Sequence, residues 1–163
     1  MTINNFDLVK LCKYYNITLK IENIIMSSNL KNIKLRKAIN VIINLEKPNH
    51  NGSHWVALII RNNLAFYFDS FGCPPDSYVL DYCKKYKLSL AINNFIIQDL
   101  DSTECGIFCV GLLKYIKNEI NNTLNKQYRM FDNTFYETCN NYCNMFEDDT
   151  QKNDNRLHYY MNN

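Results

Sequence analysis

Apolar positions recur along this chain in two rhythms, and the alternation between them predicts its elements. Residues 5 to 15 show helical spacing, capped by Asn5 and burying Phe6, Val9, Cys12 or their neighbours. The stretch that follows, to Lys37, has no decided pattern. Ile39–Leu45, His54–Arg61 and Leu64–Asp69 read as strands, with a turn-rich loop over Lys47–Gly52 between the first two. Helical spacing resumes over 76–87 through Val79, Tyr82, Cys83 and Tyr86, after the break at Gly72-Cys73-Pro74-Pro75. Ala91–Gln98 reads as one more strand. From Cys105 the residues Phe108, Cys109, Leu112, Leu113, Ile116 and Ile120 form a helical stripe, and Ser102 or Thr103 is the expected cap. Phe135, Cys139, Tyr142, Cys143 and Phe146 mark a last amphipathic helix, ahead of a polar tail, 147–163, whose Tyr159, Tyr160 and Met161 can dock back. The expected architecture is one α+β domain over residues 1–163, a central mixed β-sheet flanked by helices, with a strand–helix–strand crossover in its second half.

Only Asn62-Asn63 separates the second and third strands, and Asn tolerates positive φ, so a two-residue hairpin is the economical connection. That register sets Arg61 opposite Leu64, Val56 opposite Asp69 and His54 opposite Phe71. His54 and Asp69 then become diagonal neighbours on one face, roughly 7 Å apart at the backbone and within reach of each other's side chains.

Composition narrows the class. With 163 residues, of which 47% are hydrophobic, the chain can bury one core. A net charge of +2 calls for neither a nucleic-acid nor a membrane partner. The cluster Lys31, Lys34, Arg36 and Lys37 reads as a solvated face. No apolar run is long enough to span a bilayer, and the first residues lack a signal-peptide pattern, so a soluble protein made in the cytosol is expected. The seven cysteines are an odd number and mostly sit on apolar stripes, so reduced thiols are expected. The abundance of Asn, Lys and Ile is a bias typical of AT-rich genomes.

Candidate chemistry converges on Gln98–Cys109. A thiol in the first turn of a helix meets unpaired backbone N–H groups and the positive end of the helix dipole, which favour the nucleophilic thiolate. It needs a base, an orienting acid and donors for a developing oxyanion. Of the three histidines, His50 lies in a loop and His158 in the tail; His54 begins a strand beside Asp69. Gln98 has an amide that, with the Cys105 backbone N–H, completes an oxyanion hole. Cys105 with Cys109, and Cys139 with Cys143, are paired at i, i+4, but without the usual ligand spacing for zinc; no metal and no cofactor is expected. Cys109 and Cys143 read as small apolar residues, Cys12 as packing, and Cys73 and Cys83 as packed or simply exposed.

Gly52-Ser53-His54-Trp55-Val56-Ala57-Leu58, then Tyr67-Phe68-Asp69-Ser70-Phe71-Gly72, then Gln98 and Cys105-Gly106-Ile107-Phe108-Cys109, resemble the three active-site blocks of the adenovirus-type maturation cysteine proteases. The ubiquitin-like-protein-specific (SUMO) proteases share that fold, and versions in polinton elements and virophages carry a similar pattern. The resemblance covers residues 52 to about 113. It implies His54 as general base, Asp69 as its orienting acid, Cys105 as nucleophile, Gln98 as oxyanion donor, and Trp55 as a wall of a narrow cleft that prefers glycines before the cut; from the sequence alone Trp55 reads equally as a core residue. Asp at 69 is closer to the SUMO proteases, whereas the interval from Gln98 to Cys105 resembles the adenoviral pattern. The implied task is cleavage of viral capsid or core precursors, in the host cytoplasm, a viral factory or the virion. A ubiquitin-like protein is an alternative partner for the same site, and DNA or an activating peptide stays open. An acyltransferase with the same triad and a binding module with an idle site are the remaining rivals.

Overall fold

The computed structural model describes residues 3–45, 54–124 and 132–163; side chains are described except at 121–124 and 132–133. His50, Gly52, Ser53 and the expected loop over Lys47–Gly52 lie outside the described residues. The elements run α1 (Asn5–Tyr14), β1 (Ile24–Met26), β2 (Ala38–Leu45), β3 (His54–Arg61), β4 (Leu64–Phe68), α2 (Ser77–Lys85), β5 (Ser89–Ile92), α3 (Cys105–Leu124), α4 (Asp132–Cys143) and α5 (Asn153–Asn162). The five strands form one mixed sheet in sequential order: β1 is parallel to β2, β2–β3 and β3–β4 are antiparallel, and β5 is parallel to β4. The α+β expectation therefore holds.

Strand β3 shows why the sheet is covered on both sides. Trp55, Ala57 and Ile59 enter one core with residues of α1, α3, α4 and α5, while Val56, Leu58 and Ile60 enter the other, beneath α2. A strand buried on both faces reads as a continuous apolar run rather than an alternating one. In α1 the cap is Asn4, not Asn5. Its side chain accepts from the Phe6 and Asp7 N–H groups, and the Asp7 carboxylate accepts the Asn4 N–H in return. The helix buries Leu8 and Cys12 and leaves Phe6 71% exposed.

The β3–β4 hairpin has the expected register, with Arg61 opposite Leu64 and Ala57 opposite Phe68, and Asn62 takes φ 55°. The expected strand over Ala91–Gln98 is corrected: β5 ends at Ile92. Beyond it, the Asn93 side chain turns in to bind the Asp69 backbone, and the N–H groups of Ile97 and Gln98 both donate to the Ser70 carbonyl. The tail is also more ordered than its polarity suggested. It carries α5, which buries Leu157 and Met161 and leaves Tyr159 exposed. Lys114 caps the α5 end by donating to the carbonyls of Tyr160 and Met161. Asn153 is fully buried; its amide donates to the carbonyls of Ile97 and Glu147 and accepts the Glu147 N–H, tying the tail to the segment before Gln98. Lys31, Lys34, Arg36 and Lys37 are all exposed, as a solvated face requires. Among the described residues, no helix is long and apolar enough to cross a membrane.

Candidate active site

Three chain segments meet at one end of the sheet. His54 is the first residue of β3, Asp69 directly follows β4, and Cys105 is the first residue of α3. The expected caps Ser102 and Thr103 lie ahead of that helix. The Glu104 carbonyl accepts the Ile107 and Phe108 N–H groups, and the Ser102 hydroxyl accepts the Glu104 N–H. The thiol thus sits in the first turn, where backbone N–H groups have no intrahelical acceptor.

His54 Nε2–H donates to Asp69 Oδ1 over 2.8 Å. The Asp69 side chain is fully buried and that of His54 is 18% exposed. The same Oδ1 accepts the Phe71 N–H at 2.8 Å, and the Phe71 ring lies against the imidazole with centroids 4.9 Å apart. Burial works against a charged His54, but hydrogen bonds to Asp69 and Cys105, together with the attraction of their negative charges, outweigh it and raise its pKa to about 9. Because Nε2 is taken by Asp69, Nδ1 is the ring nitrogen left to face the thiol. Nδ1 is buried on that side of the ring.

Cys105 is 6% exposed. Its Sγ accepts the backbone N–H of Trp55 at 3.4 Å, while Cys109 Sγ–H lies 3.5 Å from the Trp55 carbonyl, so one residue of β3 holds two thiols of α3. Burial pushes the thiols of Cys12 and Cys143 up to about 12 and that of Cys109 well above its ordinary range, which keeps all three protonated and apolar in behaviour. No disulfide links the seven cysteines. Cys73 is exposed and Cys83 is buried.

The other two expected site residues, Trp55 and Gln98, lie in the interior. Trp55, expected as a cleft wall, is 2% exposed and packs into the core; its indole N–H donates to the Ile3 carbonyl. The nearest neighbours explain the burial: a Cβ on Gly106 would stand 2.7 Å from Ile3 Cγ2 and 3.3 Å from Trp55 Cδ1, so only glycine lets these groups close over the indole. Gln98 is fully buried beneath the loop that leads to Cys105. Its Oε1 accepts from the Ser70 hydroxyl, and its Nε2 donates to the Ser102 carbonyl at 2.9 Å.

Sequence reasoning missed Asn93. This residue is 2% exposed; its Oδ1 accepts the Asp69 N–H and its Nδ2 donates to the Asp69 carbonyl. The amide thereby continues the sheet where the β4–β5 ladder has ended, and it fixes the backbone from which the carboxylate projects. The available signal was an Asn pair inside an otherwise apolar run. His158, set aside in the sequence, is half exposed with Nε2 3.5 Å from Glu104 Oε2, outside the His54–Asp69 pair.

The mixed sheet and its flanking helices have a fold similar to that of a solved viral protease. Among solved structures, two crystal structures of the ASFV pS273R protease match at TM-scores of 0.55 and 0.51, with 15% and 16% identity. Both alignments cover 85% of this chain and 66% of that one, so the chain spans just under two thirds of the length of that protease. AvrA delL154 with IP6 and CoA matches at a TM-score of 0.48 and 21% identity, over 72% of this chain and 49% of its own; that likeness carries no argument. No protein-family profile matches the chain, and no curated protein does. At these identities the likeness establishes the fold, and the chemistry rests on the site's own geometry.

Proposed function

We propose that the protein is a cysteine endopeptidase in which Cys105 is the nucleophile, His54 the general base and acid, and Asp69 the orienting carboxylate. The observation that carries this reading is the 2.8 Å bond from His54 Nε2 to the buried Asp69, beside a thiol that begins α3. Asp69 leaves Nδ1 facing the thiol and stabilises the imidazolium. His54 takes the proton from Sγ, or already holds it in an imidazolium–thiolate pair, as its pKa of about 9 favours, and the sulfur attacks the scissile carbonyl. Collapse of the tetrahedral adduct transfers that proton to the leaving amine and leaves an acyl-enzyme. Water, deprotonated by His54, then releases the acid and restores the thiol. Gln98 and first-turn N–H groups of α3 are the candidate donors to the oxyanion.

Polypeptides are the substrates in this reading. Capsid or core precursors cut after Gly-Gly-like sequences during virion maturation are the finer proposal, supported by the motif resemblance. Asp69, which is closer to the SUMO proteases, favours a second reading, removal of a ubiquitin-like modifier. Incubating wild type and Cys105→Ala with the capsid and core precursors, and identifying new termini by mass spectrometry, tests the first. New termini are expected with wild type only; cleavage by Cys105→Ala would overturn the mechanism. Release of a Gly-Gly-tailed modifier without precursor cleavage would select the second reading.

A further inference from the structure

The tripeptide Asp69-Ser70-Phe71 serves more than the His54 bond. Ser70 is fully buried and touches Gln98 twice. Its carbonyl accepts the Ile97 and Gln98 N–H groups at 2.8 and 2.9 Å, and its hydroxyl donates to Gln98 Oε1 at 2.6 Å. At the other pole of the amide, Nε2 is 2.9 Å from the Ser102 carbonyl and 3.2 Å from the Ser102 hydroxyl. A carboxamide can sit either way round, and its surroundings decide. A backbone carbonyl only accepts, so the nitrogen must face Ser102, and the oxygen is left to the one hydroxyl that can donate to it.

We infer that Ser70 is a positioning residue for the reaction: its hydroxyl donates to Gln98 Oε1 and thereby turns the amide N–H pair toward the Ser102–Cys105 loop, where an oxyanion forms. This rests on the reading of Gln98 as an oxyanion donor. Without the hydroxyl, Oε1 becomes a buried acceptor with no donor, and the rotation of the amide is no longer held from that side. The Asp69–His54 bond does not run through the Ser70 side chain. Ser70 therefore acts on the stabilisation of the tetrahedral adduct and not on proton transfer.

A double-mutant cycle separates these roles. Ser70→Ala, Gln98→Ala and the double variant are compared with wild type for Cys105-dependent hydrolysis of the p-nitrophenyl ester of acetyl-Gly-Gly, with thermal melts run in parallel. Ser70→Ala is expected to lower kcat about 10-fold with KM unchanged, and Gln98→Ala on the order of 100-fold. In the Gln98→Ala background, Ser70→Ala should cost nothing further, an outcome that a purely structural role would not give. Equal losses in both backgrounds, or a normal kcat for Ser70→Ala beside an impaired Gln98→Ala, would overturn this inference alone. A normal rate for Gln98→Ala would remove the oxyanion role on which it rests. Absence of Cys105-dependent turnover in wild type would overturn the hydrolase reading itself. Should Ser70→Ala fail to fold, Ser70→Cys, which keeps a weak donor, takes its place in the same cycle.

Discussion

His54 Nε2 and Asp69 Oδ1 lie 2.8 Å apart although fifteen residues separate them in sequence. The separation is closed by a hairpin whose two-residue turn fixes the register, and by Asn93, which holds the Asp69 backbone past the end of the ladder. A neutral amide at 69 removes the charge that favours imidazolium and can also invert the tautomer. Asp69→Asn should lower kcat by roughly 10²- to 10⁴-fold. The His54 pKa should fall below about 9, read from the imidazole proton shifts in an NMR titration. An unchanged titration would place the source of the raised pKa elsewhere.

The raised His54 pKa also makes stability depend on pH, with a defined sign. The folded protein holds the proton to about pH 9, whereas an unfolded histidine releases it near 6.5. The stabilisation is therefore complete below about pH 6.5 and is lost as pH rises through 9. Thermal melts of wild type and His54→Gln should differ most in favour of wild type below pH 6.5, and the difference should shrink steadily toward pH 9. A difference that grows with pH would contradict the assignment.

Thiol burial divides the cysteines in a way that alkylation can read. Iodoacetamide under native conditions should modify the exposed Cys73, and Cys105 through its activation beside His54, while Cys12, Cys83, Cys109, Cys139 and Cys143 stay protected by burial. Peptide mapping gives the sites. Loss of activity should track Cys105 labelling and not Cys73 labelling.

Gly72 closes the turn after Asp69 at φ 65°, and a Cβ there would stand 2.7 Å from the backbone C and O of Phe95. Neither backbone segment can yield easily, because Gly72 N–H donates to the Asp69 carbonyl and the Asn93 amide donates to the carbonyls of both Asp69 and Phe95. Gly72→Ala should destabilise the fold by about 1–3 kcal/mol, from the positive φ and the overpacking together. Urea unfolding measures it, and a stability equal to wild type would show that the turn can open.

By itself the sequence determined most of the elements, the hairpin register and the candidate set His54, Asp69, Gln98 and Cys105. Those features depend on local rules: alternation in strands, helical spacing, the φ tolerance of Asn62, and the position of a thiol at a helix start. Only the tertiary structure decided what each side chain meets. Asn93 looked like a residue inside a strand, yet its amide pairs with Asp69, twenty-four residues away. Trp55 read equally as a cleft wall or a core residue; in the structure Ile3 and Gly106 close over its indole. The amide of Gln98 could face either way on paper; Ser70 at one pole and Ser102 at the other fix it. Periodicity records which face of an element is apolar, whereas the partner of a buried polar group is set by chain crossings that no local spacing encodes.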